Sequence, residues 1–89
     1  MPKVVVTHSV ADVAAWLGHA AERAEAIGGL GGTNVVDLVA HDGSTTVAVS
    51  TEVDDVAALV AALTSPPPEV ATLMQSHGVQ PPLTIYVEG

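Results

Sequence analysis

A run of three valines near the start of the chain, Val4 to Val6, constrains the fold more than any other feature. Consecutive β-branched residues favour a strand, and the side chains of a strand alternate between its two faces. This strand is therefore apolar on both faces, which is typical of a strand in the middle of a sheet. Because helices of the same chain can cover only one face, we expect a second subunit to cover the other.

The size of the chain also favours a second subunit. It has 89 residues and no cysteine, so it lies near the lower limit for a core without disulfides. Its hydrophobic fraction is 48%, but it contains no Phe, one Trp and one Tyr, and its small apolar side chains bury little area each. We predict a single domain over residues 1–89 that forms a homodimer through its sheet face.

The charge of the chain excludes several classes of partner. Lys3 and Arg23 are the only cations against ten acidic residues, which gives a net charge of −8. A protein this acidic repels a phosphate backbone, so we expect neither nucleic acid nor a membrane as a partner. Lys3 precedes only three apolar residues, too few for a secretory or membrane-spanning segment, and we expect a cytoplasmic protein.

The periodicity of apolar residues predicts a helix after the first strand. Asp12 is the expected N-cap, and the helix is expected to run to about Ile27 and to end at Gly28-Gly29. Trp16 lies on its apolar stripe, while Arg23 is expected on its outer face.

The rest of the chain shows a hairpin, a broken helix and a final strand. The turn residues His41 to Ser44 separate two runs rich in β-branched residues. The predicted elements are strands over 33–40 and 45–53, a helix capped by Asp54 or Asp55, a short helix from Pro68 to Gly78, and a strand over 83–87. This order predicts an α+β, ferredoxin-like βαββαβ sandwich: an antiparallel four-stranded sheet with helices on one face and the first and third strands central.

Several motifs resemble those of a known group of proteins. They are Val10-Ala11-Asp12 with Trp16, the junction Thr51 to Asp55, and the closing run from Pro68 through Met74, Gly78-Val79 and Pro81-Pro82 to Tyr86. Together they resemble small members of the dimeric α/β-barrel superfamily, over nearly the whole chain. That superfamily includes polyketide cyclases, cofactor-free monooxygenases of antibiotic biosynthesis and heme-degrading enzymes. The resemblance implies a homodimer that pairs sheet against sheet.

The predicted topology brings His8, His41, Trp16 and His77 to one end of the sheet, with His19 on the rim. A pocket between helices and sheet at that end is the expected site. His8 follows Val4 and Val6 in parity, so it should point toward the helices, where it could act as a general acid or base. The alternative is a half-buried histidine bonded to a backbone carbonyl.

The other candidate residues have equally plain structural alternatives. His77 could assist His8 by hydrogen bonding, or could interact with the negative end of its helix. Trp16, Met74 and Tyr86 are the expected pocket residues, although Trp16 also fits core packing and Tyr86 also fits the interface between two sheets. His41 lies in a tight turn and is expected in solvent.

The motifs of several other site types are absent from the sequence. There is no His-x-His, His-Glu-x-x-His or paired-carboxylate spacing, no cysteine, no serine elbow and no dinucleotide fingerprint. The glycine-rich run from Gly28 to Gly32 lacks the Lys and Ser/Thr of a phosphate-binding loop. We therefore predict no metal and no cofactor.

Two functions remain open. The first is a small cofactor-free enzyme, cyclase-like or monooxygenase-like, that acts on an apolar aromatic or polyketide-type molecule with His8 and His77. The second is a non-catalytic homodimeric domain that binds a small ligand or a protein. An open cavity that touches both His8 and His77 would favour the enzyme. A cavity lined only by Val, Leu and Ala, with His8 sealed by backbone contacts, would favour the binding domain.

Overall fold

The computed structural model describes residues 1–89 and contains one four-stranded sheet with four helices on one face. All strand pairs are antiparallel, and the spatial order is β2-β3-β1-β4. The strands are β1 Lys3–Val10, β2 Gly32–Val39, β3 Thr46–Val53 and β4 Val79–Val87, and the helices are α1 Val13–Gly18, α2 Ala20–Gly29, α3 Val56–Thr64 and α4 Pro68–Ser76. The predicted ferredoxin-like α+β fold, with β1 and β3 central, is confirmed.

The alternation of β1 divides its residues between two environments. Val4, Val6, His8 and Val10 are buried, and the residues between them are only half-buried. The buried set faces the helices, because its members take part in clusters with Leu59 of α3 and with the helical residue Trp16. His8 therefore points toward the helices, as the alternation along the strand predicted.

The single helix predicted from Asp12 to Ile27 is wrong, because the chain breaks at His19 into α1 and α2. The backbone N–H of His19 donates to the carbonyl of Trp16 at 3.1 Å, three residues back instead of four. Gly18, which stands just before the break, has little helix propensity and favours a break there. The apolar stripe continues across this break, which is why periodicity alone did not reveal it.

Most of the predicted helix ends are confirmed. Asp12 accepts from the N–H of Ala15 at 3.1 Å, and Asp55 accepts from the N–H of Ala58 at 3.0 Å. Pro68 begins α4, and Gly78, with a φ of 73°, ends it. The exception is Gly28-Gly29, which belongs to α2; the residue with a left-handed φ is Gly31, at 90°.

The last strand begins four residues earlier than predicted, at Val79 instead of Leu83. It is an edge strand, where Pro81 and Pro82 are tolerated because an edge strand does not need every N–H for pairing. The register against β1 shifts between Thr7 and Ser9, so the irregularity lies beside His8.

The sheet face away from the helices is open. One row across it consists of Tyr86, Val5, Ser50 and Val36, and the next of Thr84, Thr7, Ala48 and Leu38. Neither row contains a charged residue, and Val36, Leu38 and Tyr86 are exposed.

No single helix is long and apolar enough to cross a membrane; α3 and α4 reach such a length only together, and they are bent by 68°.

Candidate active site

A cavity of about 90 Å³ lies between the helices and the sheet. Twelve of its sixteen lining residues are hydrophobic, and the other four are His8, Arg23, Thr51 and His77. The hydroxyl of Thr51 donates to the backbone carbonyl of Thr33 at 2.9 Å. Both candidate histidines thus border one apolar cavity, together with an arginine that the sequence analysis had placed elsewhere.

His8 is held in one tautomer by its neighbour in the chain. Its Nδ1 lies 3.1 Å from the backbone carbonyl oxygen of Ser9. A carbonyl can only accept, so Nδ1 carries the hydrogen and the lone pair of the neutral ring is on Nε2. Burial lowers the pKa of His8, and the charge of Arg23 adds to this effect, while the Ser9 bond opposes it. At neutral pH the ring is therefore an uncharged base.

The register shift beside His8 is also relevant to the site. Irregular strand pairing often occurs next to active sites, where it reorients a side chain. Here Thr7 pairs with Thr84 and Ser9 pairs with Gln80, so His8 alone faces the three residues from Pro81 to Leu83.

Arg23 is the residue that the sequence analysis missed, because it was expected on the outer face of a single helix. It is only 7% exposed. Its Nε and Nη2 donate to the two carboxylate oxygens of Asp37, both at 3.0 Å, and Nη2 also donates to the carbonyl of Trp16 at 2.9 Å. Asp37 on β2 points to the helix side of the sheet and neutralises the arginine.

Trp16 is completely buried and packs against two of the polar residues. The guanidinium carbon of Arg23 lies 3.9 Å from the centre of its ring, a cation–π contact. The His8 ring meets it edge to face, with 6.2 Å between ring centres. Trp16 thus packs behind Arg23 and His8. Unlike the prediction, its own side chain does not line the cavity.

His77 joins this cluster at the C-terminal end of α4. Its Nδ1 accepts from Nη1 of Arg23 at 3.2 Å, so the hydrogen of the neutral ring is on Nε2. That Nε2 lies 3.6 Å from Oε2 of Glu22, and the ring stacks on His19 with 4.4 Å between centres. Burial lowers the pKa of His77; the charges of His19 and Arg23 lower it further, and Glu22 opposes them.

The atoms of His19, Glu22 and His77 that could bind a metal all lie within 4.8 Å of one another. A metal would need the lone pair of a histidine nitrogen on the side of Glu22. The bond from Arg23 keeps the hydrogen of His77 on that side, and the arginine also brings a positive charge. The cluster therefore favours hydrogen bonds over metal binding. His19 donates to Glu22 at 3.0 Å, a contact that lowers the pKa of Glu22.

The remaining predicted site residues are separated by the fold. Met74 lines the cavity, as expected. Tyr86 lies on the open sheet face and is 58% exposed, so the prediction that it lines the same pocket is wrong within one subunit. His41 is exposed in the turn between β2 and β3, as expected, and it does not line the cavity.

The sequence did contain one signal for Arg23. It lies seven residues after Trp16, which returns to the same side of a helix after two turns. In a chain with ten acidic residues and only two cations, a basic residue in that register is a candidate for a buried ion pair. Asp37, between the apolar residues Val36 and Leu38, is the corresponding signal on the strand.

A groove next to the cavity shares part of its lining. It has a volume of about 570 Å³ and lies along the linker between α3 and α4, beside Pro66 and Pro81. Four residues border both spaces: Leu63, Met74, Val79 and Leu83.

Comparisons with known proteins identify the fold. No protein-family model matches the chain, and no curated protein matches it in sequence. A solved structure described as an antibiotic biosynthesis monooxygenase aligns with a TM-score of 0.65 and 17% identity over 100% of this chain and 97% of the other. The chain has the ferredoxin-like fold of that protein.

Two further solved structures agree. A candidate antibiotic biosynthesis monooxygenase from Deinococcus radiodurans aligns with a TM-score of 0.63 and 17% identity, over 100% of this chain and 93% of that one. Another from Nitrosomonas europaea aligns with a TM-score of 0.61 and 16% identity, over 100% and 97%. The expected structural similarity to small monooxygenase-like proteins is confirmed at the level of the fold.

Proposed function

We propose that the protein is a cofactor-free, monooxygenase-like or cyclase-like enzyme that acts on a small apolar aromatic or polyketide-type molecule. The observation that carries this proposal is the apolar cavity bordered at once by His8 and His77. His8 acts as the general base and removes a proton from the carbon next to a carbonyl group. His77 assists from the same cavity through its bond with Arg23.

Removal of a proton next to a carbonyl group requires only a base and an apolar environment. The lone pair on Nε2 of His8 takes the proton, and the electrons of the C–H bond move onto the carbonyl oxygen to form an enolate. In a cyclase the enolate carbon attacks a second carbonyl of the same molecule. In a monooxygenase it reacts with O₂, so that a CH₂ group becomes C=O and the second oxygen atom leaves as water. The fold of the structural neighbours supports the second course.

The size of the cavity limits what can be enclosed. It measures about 90 Å³. An engineered cavity of about 150 Å³ in another protein is known to bind benzene. We therefore expect no more than one ring of the substrate inside, with the remainder in the groove beside Pro66 and Pro81.

We also propose that the open sheet face pairs with a second copy of the chain. Only 13 of 89 residues are buried in one subunit, and the two uncharged rows of this face expose Val36, Leu38 and Tyr86. Two identical acidic chains repel each other wherever their charges meet, so the two uncharged rows are the surface on which they can associate. A homodimer of this kind leaves both cavities on the outer, helical sides. A cytoplasmic location stays a prediction.

Exchange of carbon-bound protons tests the enzymatic proposal. In D₂O, 2-indanone is expected to gain deuterium next to its carbonyl faster with the protein than in buffer, as measured by NMR. His8→Ala should reduce the protein-dependent rate by about 10²-fold or more. His41→Ala, which changes an exposed histidine in a turn, is the matched control and should exchange like the unmodified protein.

Two results would contradict this proposal. One is exchange no faster than in buffer; the other is equal exchange by His8→Ala and the unmodified protein. Saturable binding of 2-indanone without exchange would support the alternative, a non-catalytic domain that binds a small apolar ligand.

A further inference from the structure

Arg23 does not use all of its hydrogen-bond donors within the protein. A guanidinium has five N–H groups. Nε uses its hydrogen on Asp37, Nη2 uses two on Asp37 and Trp16, and Nη1 uses one on Nδ1 of His77. One N–H on Nη1 therefore has no partner in the protein, in a side chain that is only 7% exposed.

The residue that carries this N–H lines the cavity. Arg23 borders the cavity, and so does His77, which bonds the same Nη1 atom at 3.2 Å. His8 borders the cavity too, and the charge of Arg23 influences its titration. The guanidinium that carries the unused donor and the imidazole of His8 thus border the same, otherwise apolar cavity.

We propose that Arg23 is a second catalytic residue, which donates this N–H to the carbonyl oxygen of the substrate and stabilises the charge that develops there. This rests on the proposed function. As Nε2 of His8 takes the proton, the electrons of the C–H bond pass to the oxygen, which becomes an enolate oxygen. The arginine only donates this hydrogen bond and keeps its protons, because a guanidinium is not deprotonated in proteins. A fixed donor aimed at a developing oxyanion is a large source of rate enhancement in enzymes.

The surroundings of Arg23 specify the class of ligand. Asp37 already occupies one edge of the guanidinium with its carboxylate, and only one N–H is unused. A ligand carboxylate is usually bound by two parallel N–H groups, and here it would also meet the charge of Asp37. The subsite therefore favours a single uncharged carbonyl oxygen. We expect neutral apolar ketones to bind in preference to the corresponding carboxylates.

Asp37 is then a positioning residue. Its two bonds of 3.0 Å fix the plane of the guanidinium, and the cation–π contact with Trp16 holds its face. Side chains locked in this way keep a catalytic donor in place without reorganisation during the reaction.

The infrared C=O stretch of bound 2-indanone tests the proposal. A hydrogen bond from a cation lowers this frequency, so in the unmodified protein it should be lower than in a hydrocarbon solvent. The double variant Arg23→Met/Asp37→Leu removes both charges together, which avoids a lone buried carboxylate. In this variant the frequency should rise to the hydrocarbon value, and affinity for the ketone should fall by about tenfold.

A second ligand and a second variant test whether the ligand oxygen is the group that is bound and whether Arg23 is its donor. Affinity for 2-methyleneindane, in which CH₂ replaces the oxygen, should be the same in the double variant and the unmodified protein. His8→Gln should leave the C=O frequency of bound 2-indanone low, because His8 is not its donor. A circular dichroism melt confirms that each variant is folded; if the double variant is unfolded, Arg23→Lys with a changed C=O frequency provides the same test.

The outcomes distinguish this inference from the proposed function. A hydrocarbon-like frequency in the unmodified protein overturns the role of Arg23, even if His8-dependent exchange is observed. A low frequency without exchange supports the subsite and overturns the enzyme. If neither probe binds, or if a carboxylate such as indane-2-carboxylate binds more tightly than the ketone, the proposed ligand class is wrong.

Discussion

The two faces of the sheet differ in the polar and charged side chains that they carry, although the same strands form both faces. On the helix side, β1 presents Val4, Val6 and His8 to a core that encloses a paired arginine. On the open side, its half-buried residues join uncharged rows that end in exposed Tyr86 and Leu38. The buried ion pair thus lies on the face where chemistry is proposed, and the two rows on which association is proposed carry no charged residue.

Removal of the buried cation should have the largest effect on stability. Arg23→Ala leaves the carboxylate of Asp37 buried without its partner, at 12% side-chain exposure, and should lower the free energy of unfolding by about 3 kcal/mol or more. Urea denaturation followed by circular dichroism measures this change. Glu52→Gln, which alters an exposed contact with Asn34 at the sheet end, should change it by less than about 0.5 kcal/mol. A loss below 1 kcal/mol for Arg23→Ala would mean that the pair is solvated.

A methyl group at the junction of α2 and β2 should have the next largest effect, because it probes the packing on the helix side. A Cβ on Gly32 would clash with Cγ2 of Ile27 and would lie 2.7 Å from Oγ1 of Thr51. Gly32→Ala should therefore destabilise the fold by about 1–3 kcal/mol, as measured by thermal unfolding. Gly28→Ala, in α2 with nothing within 4 Å, should instead raise stability by about 0.5–1 kcal/mol. Equal melting temperatures for the two variants would contradict this description of the packing.

A charge on the open face should change assembly more than folding. Leu38→Glu places a carboxylate in the second uncharged row, and should convert a dimer into a monomer of 8.9 kDa in light scattering at micromolar concentration. Leu17→Glu is the matched control, because Leu17 is similarly exposed but belongs to α1 on the helix side. An unmodified protein that is already monomeric would exclude pairing through this face.

The pH dependence of stability should be the smallest effect. Burial lowers the folded-state pKa of His8 and of His77, so the unfolded chain binds more protons than the folded one below pH 6.5. Stability should be complete above pH 6.5 and should fall as the pH drops toward the folded-state pKa values. Urea midpoints between pH 7.5 and 5 should show this slope, and His8→Gln should flatten it. A midpoint that rises on acidification would contradict the sign.

Much of the fold could be predicted because local signals agreed with the tertiary structure. The valine run, the turn after Ala40 and the capping aspartates all act within a few residues, and each determines an element or its end. The break at His19 was hidden despite Gly18, because the apolar stripe of α1 continues in phase through α2. The early start of β4 was hidden by two prolines that only an edge position tolerates.

The site was less predictable because it depends on contacts between distant residues. His8 could be placed by parity within one strand, and His77 by the end of its helix. Arg23 could not be placed with them, because its burial depends on Asp37, fourteen residues away, and on His77, fifty-four residues away. Charge composition marked Arg23 as unusual without indicating its partners.

The tautomer and the charge of the His8 ring decide whether this residue can act as the base. NMR of protein labelled with ¹⁵N in its histidines reports both the tautomer and the titration of each ring. We expect His8 to carry its hydrogen on Nδ1, with a free lone pair on Nε2, and to have a pKa below the ordinary 6.5. A His8 that is charged at pH 7, or that carries its hydrogen on Nε2, would contradict the assignment of this residue as the base.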